Sequence, residues 1–157
     1  MGHPSARVEA EPAVPDRHRP TASSSQLCSP PVMARLKDVE RLERICARLP
    51  EVVSTRHLQH TAFEVRRKKF AWHVVDEHGD GRVALICKAA HGDNQAMVAS
   101  DPTRLFLPKY MAHHGWVGLY LDLGTVDWTE VEELVTDAYI LTAPKTLARN
   151  VARSPGS

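Results

Sequence analysis

The stretch TAFEVRRKKFAWHVVDEHGDGRVALICKA, residues 61–89, decides the fold. "TAFEVR" (61–66) and "KFAWHVVD" (69–76) alternate in hydrophobicity. Phe63 and Val65 share one face, and Phe70, Trp72 and Val74 another, at the period of a half-buried strand. "RVALICKA" (82–89) is a third apolar run, reached through "EHGDG", whose Asp80-Gly81 pair signals a hairpin turn. Three such strands in succession point to an antiparallel sheet.

Upstream, residues 35–48 show a helical period. Leu36, Val39, Leu42, Cys46 and Leu49 form one apolar stripe, while Lys37, Arg41, Arg44 and Arg48 form a separate basic one. Pro50 ends the helix. Downstream, Asp93 is placed to cap a short helix, "NQAMVAS", and "RLFLP" and "WVGLYLD" read as two more strands. Asp127 then opens a helix as N-cap, with Glu130 at N3 as in a capping box and Val126 and Val131 as a hydrophobic staple. Pro144 marks the first turn of a further short helix, "PKTLARNV". The order α-β-β-β-α-β-β-α predicts a two-layer α+β fold, an antiparallel sheet with helices on one face.

Residues 1–32 differ from everything after them. They are rich in proline and serine, hold no aromatic residue and have no hydrophobic period, so they are expected to be a disordered tail. Met33 opens the helical pattern and is the expected biological start. Residues 33–151 then form one domain, and 152–157 a short disordered end.

Composition narrows the functional classes. The chain has 20 basic and 19 acidic residues for a formal charge of +1, so any pull on a polyanion has to come from local clusters. Cys28, Cys46 and Cys87 are scattered, odd in number and without a CxxC pair, which is neither a disulfide framework nor a zinc signature. No apolar run approaches the roughly 18 residues of a membrane span, and no signal-peptide core is present. The expectation is a cytoplasmic protein with no membrane partner.

"FEVRRKKFAW", "GWVGLYLD" and "DWTEVEELVTDAYILTAPKTLA", in that order, resemble the MmcQ/YjbR family of small bacterial proteins. The resemblance runs from about Met33 to Arg149. It implies a CyaY-like α+β fold, and it implies DNA binding only by analogy with a double-wing DNA-binding domain of similar fold. Two departures stand out. Relatives often carry glycine in the first strand turn, where this chain has Arg67, and Ser-Tyr-Arg in the last long helix, where it has Ala138-Tyr139-Ile140.

The candidate chemistry is chiefly that of binding. Arg66, Arg67, Lys68 and Lys69 are consecutive at a hairpin tip, where they can lie along phosphates; the plain alternative is a solvated turn that discourages edge pairing. With the helix stripe Lys37, Arg41, Arg44 and Arg48, and with Lys88 and Lys109, they make the expected nucleic-acid surface, the partner being double-stranded DNA with little sequence preference. The loop "LPKYMAHHGWVGLYLD" offers a different class, a small-molecule pocket or undetected enzyme lined by Tyr110, His113, His114, Trp116 and Tyr139. His57 and His60, or the adjacent His113 and His114, lack zinc spacing, and adjacent residues of an extended chain point apart. No metal and no cofactor is expected. No nucleophile elbow or P-loop is present, so no catalytic residue is assigned. A third class is a protein-interaction module presenting Glu130, Glu132, Glu133 and Asp137.

Overall fold

The structure, a computed structural model, describes Gly2, residues 32–76 and residues 79–154. The expected tail, with Cys28, lies outside the described residues except for Gly2 and Val32, and so do residues 155–157. Helix α1 (Val32–Ala47) is followed by strands β1 (Val52–His57), β2 (His60–Val65), β3 (Lys68–Val75) and β4 (Val83–Lys88). Helix α2 (Asp93–Ser100), strand β5 (Leu105–Phe106), a 3-10 turn (Ala112–His114) and strand β6 (Trp116–Tyr120) come next, then helices α3 (Trp128–Thr142) and α4 (Lys145–Ala152). The six strands form one antiparallel sheet in the order β1-β2-β3-β4-β6-β5.

One strand was not anticipated. β1, "VVSTRH", lies at the sheet edge with all but its first residue exposed, so it carries no apolar alternation by which to recognise it. Its partner across a two-residue turn is β2, register His57 to His60.

Alternate strand residues point to opposite sides of the sheet, and the two sides differ. Val83, Leu85 and Cys87 of β4 and Val117 and Leu119 of β6 join the main core with Leu42, Ile45, Cys46 and Leu49 of α1 and Val131, Val135, Ala138 and Tyr139 of α3. The other side holds a smaller cluster of Val74, Ala84, Ile86 and Trp116, edged by Trp72, Phe106, Met111 and Tyr120. Phe70 does not share a face with Trp72 and Val74. Phe63 pairs with Ala71 while Glu64 pairs with Lys69, so Phe70 is an extra residue in β3 and drops into the main core beside Ala71. Leu36, at the head of the expected apolar stripe, is exposed, and Ile45 fills the core instead.

The turns carry backbone strain. Arg66 and Arg67, the two residues between β2 and β3, have φ of 49° and 65°. Two positive φ values in a two-residue loop are the signature of a type I′ hairpin, which favours Asn and Gly because a β-carbon crowds the carbonyl oxygen there. The turn therefore does require positive φ at Arg67.

At α3 the Asp127 carboxylate accepts from the backbone N–H groups of Thr129 at 3.0 Å and Glu130 at 3.4 Å. Val131 is fully buried and Val126 packs on the same core, as a staple requires. The Glu130 side chain does not close the capping box; Arg104 holds it, Nη1 donating at 2.7 Å. α2 also departs from expectation. Its N-cap is Gly92 at φ 82°, and Asp93 sits inside the first turn.

Candidate functional site

Of the expected basic stripe, Arg41 and Arg44 of α1 and Arg48 just beyond it face the start of α3, and Lys37 does not line that groove. Arg41, Arg44, Arg48 and Ile45 form one wall of a groove, and Trp128, Thr129 and Glu132 form the other, enclosing about 420 Å³. The stripe lies about a third of a turn from the apolar residues that bury α1, so packing of Leu42, Ile45 and Cys46 turns it outward along the α3 side. The Arg41 guanidinium lies 4.6 Å from the Trp128 ring centroid, a cation–π contact that sets its direction. Arg48 donates to Glu132 at 3.1 Å, a pair exposed on both sides and therefore weak. Among the described residues no ion pair holds Lys37 or Arg44. Trp128 and Thr129 were missed as lining residues. A Trp just after an N-cap reads as core, and only the packing of α1 against α3 exposes its face to an arginine.

The hairpin tip approaches the far end of α1. Arg66 pairs with Glu51, the residue after Pro50, and its guanidinium is pushed above its ordinary value by that hydrogen bond and charge. Arg67, Lys68 and Lys69 are exposed, and Lys69 leans to within 5.8 Å of the Trp72 ring on the sheet side away from the helices. Lys109 is on that side too. With Arg82, Phe106 and Tyr120 it borders a small hollow of about 120 Å³, where Phe106 stacks on Tyr120 at 4.5 Å and Arg82 lies 4.2 Å from the Tyr120 ring centroid. Lys88 is half-buried at the end of β4. The candidate cations thus do not share one surface: Arg41, Arg44 and Arg48 line the α1–α3 groove, and Lys69 and Lys109 lie on the other side of the sheet.

The histidine loop does not gather the expected pocket. Tyr139 is fully buried in the main core, edge-on to Phe70, with its hydroxyl donating to the Pro50 carbonyl at 2.8 Å. Trp116 is buried in the cluster on the opposite side of the sheet, and Tyr110 is 77% exposed at φ 68°. His113 and His114 occupy a 3-10 turn, not an extended segment, so their ring centroids come to 3.9 Å instead of pointing apart. Gly115 closes that turn at φ 86°, and buried Asn94 pins the loop by donating to the carbonyls of Ala112 and Trp116. Of the acidic residues of α3, Glu130 and Glu132 are engaged by Arg104 and Arg48, leaving Glu133 and Asp137 exposed.

Titration adds little chemistry at these places. Cys46 and Cys87 are free and buried, and desolvation pushes both thiols up to about 12, far from a nucleophile's range. Among the described residues no three His, Cys, Asp or Glu side chains converge as metal ligands, and no helix is long and apolar enough to cross a membrane.

Comparison with known proteins gives the fold a context. The crystal structure of Deinococcus radiodurans protein DR2400, with a DUF419 domain, superposes with a TM-score of 0.57 at 18% identity, over 73% of this chain and 87% of that one. At that identity the likeness is one of fold. No curated protein matches. The YjbR family profile matches residues 47–141, from the end of α1 into α3 and so across the whole sheet. The chain belongs to the YjbR family.

Proposed function

We propose that the chain is a non-catalytic binding module that holds the phosphate backbone of duplex DNA along the groove between α1 and the start of α3. The observation that carries this reading is the alignment of Arg41, Arg44 and Arg48 on one wall of an open, polar groove whose other wall offers the Thr129 hydroxyl. Arginine forks on successive turns of a helix suit consecutive phosphates, and such contacts are indifferent to sequence. Arg67 and Lys68, in no ion pair among the described residues, extend the basic character past the end of α1. Lys69 and Lys109 lean to the other side of the sheet and are not counted in this surface. Glu132 and Glu51 temper the charge, so the affinity expected is modest.

Fluorescence anisotropy of the full chain with a random duplex, at several salt concentrations, tests it. Three phosphate contacts predict a slope of log K on log salt of about −3. Arg44→Glu should weaken binding about tenfold or more, since it both removes a contact and repels a phosphate. No binding at low salt, or binding indifferent to Arg44→Glu, overturns the reading.

A further inference from the structure

The sheet ends in two unlike edges. β5 closes one with two residues, too short to offer a ladder. β1 closes the other with six, "VVSTRH", and among the described residues it pairs with β2 alone. Strand edges of this length are ordinarily blunted by lysine, proline or a bulge. β1 has no lysine and no proline, and its register with β2 is unbroken. Its one full charge, Arg56, is drawn back toward Glu43 of α1 at 3.4 Å.

The two-residue turn to β2 fixes which backbone groups face outward. His57 and His60 flank that turn, and the closing pair of such a hairpin exchanges both hydrogen bonds, so bonding to β2 alternates through His57, Thr55 and Val53. The N–H and C=O groups of Val52, Ser54 and Arg56 then point away from the sheet. The same edge carries apolar surface, with Val53 55% exposed and Leu58, in the turn, wholly so.

We propose that β1 is a self-association edge, at which a second copy of this chain adds its own β1 antiparallel about a twofold axis at Ser54. The order of the residues is what selects a second copy. Read in opposite directions about Ser54, "EVVSTRH" (51–57) sets Glu51 against His57, Val52 against Arg56 and Val53 against Thr55. Paired residues of an antiparallel ladder share one side of the sheet. This register therefore joins β-branched Val53 and Thr55 on the side away from the helices and keeps each charge from its like. The acidic end of each strand meets the basic end of the other, and Val52, Ser54 and Arg56, whose groups face outward, become the bonded pairs. Such a contact is isologous and closes at two copies. It joins the two six-stranded sheets into one. One strand from each copy is a small interface, so the dimer expected is weak and concentration-dependent. β1 shares no residue with the α1–α3 groove, so the dimer stands or falls independently of phosphate binding.

Sedimentation velocity of the full chain across the micromolar to millimolar range tests it, with Ser54→Lys and Ser54→Glu as variants. Ser54 is exposed, so neither change touches the core, and circular dichroism checks the fold of each. The parent should dimerise as concentration rises. Each variant alone should raise the dissociation constant about fivefold or more, because it sets like charges face to face on the axis. An equimolar mixture of the two should restore the dimer, since lysine then meets glutamate. Should a variant fail to fold, amide hydrogen exchange of the parent reads the same edge: protection at Val52, Ser54 and Arg56 should rise with concentration while that at Val53 and Thr55 stays constant. A parent that stays monomeric throughout, or a dimer that Ser54→Lys leaves unchanged, overturns the proposal.

Discussion

The Tyr139 hydroxyl donates to the Pro50 carbonyl at 2.8 Å, so a residue in the last turns of α3 holds the point where α1 gives way to the sheet. Removing that hydroxyl leaves a carbonyl without its partner while the ring still packs on Phe70. Tyr139→Phe should therefore lower stability by about 1–2 kcal/mol without changing the fold, read as an earlier urea midpoint at constant m-value.

Gly118 lies directly beneath the Phe106 ring, where an added β-carbon would overlap ring atoms. The short strand β5 pairs with β6 at that point, Phe106 against Gly118, and cannot retreat without losing its register. Gly118→Ala should cost about 1–3 kcal/mol by forcing the ring out of place, and the loss should be recovered in the double variant Phe106→Ala/Gly118→Ala. Thermal unfolding of the three proteins checks it.

The hairpin at Arg66-Arg67 predicts a gain. Both residues hold positive φ, and Arg67 forms no ion pair among the described residues to offset the strain. Arg67→Gly should stabilise the protein by about 1 kcal/mol, seen as a rise in Tm. A fall in Tm would mean the side chain does something the turn geometry does not reveal.

His73 predicts a pH dependence. Its folded value of about 4 lies below the ordinary 6.5, so the unfolded chain binds the proton more readily than the native one. Stability from this group is full above about pH 6.5 and is lost as pH falls toward 4, by about 3 kcal/mol in total. Burial is the larger cause, and the neighbouring His60 acts in the same direction. Urea midpoints of the parent and of His73→Gln, followed from pH 7 to pH 4, should converge on a flatter curve for the variant.

Cys46 and Cys87 should resist thiol reagents until the protein unfolds. Both are almost fully enclosed by the main core, and burial holds each thiol protonated. Mass spectrometry after brief iodoacetamide treatment should find these two sites unmodified in the native protein and modified in urea.

Much of this protein was determined by local pattern. The three central strands, the Asp127 cap, the Val126–Val131 staple and the stripe of arginines on α1 each follow from residues within a few positions of one another. Their forces, helix period, strand alternation and capping, act at that range. β1 was hidden because an exposed edge strand has no apolar face to announce it. Phe70 was placed on the wrong face because a bulge changes the count by one residue, and only pairing with β2 creates the bulge. The histidine pocket failed because Tyr139 and Trp116 answer to opposite sides of one sheet, a division that strand order alone imposes. Trp128 and Arg41 are neighbours only because α1 crosses the sheet where it does. That crossing is settled by burial of apolar surface far along the chain, which no local stretch contains.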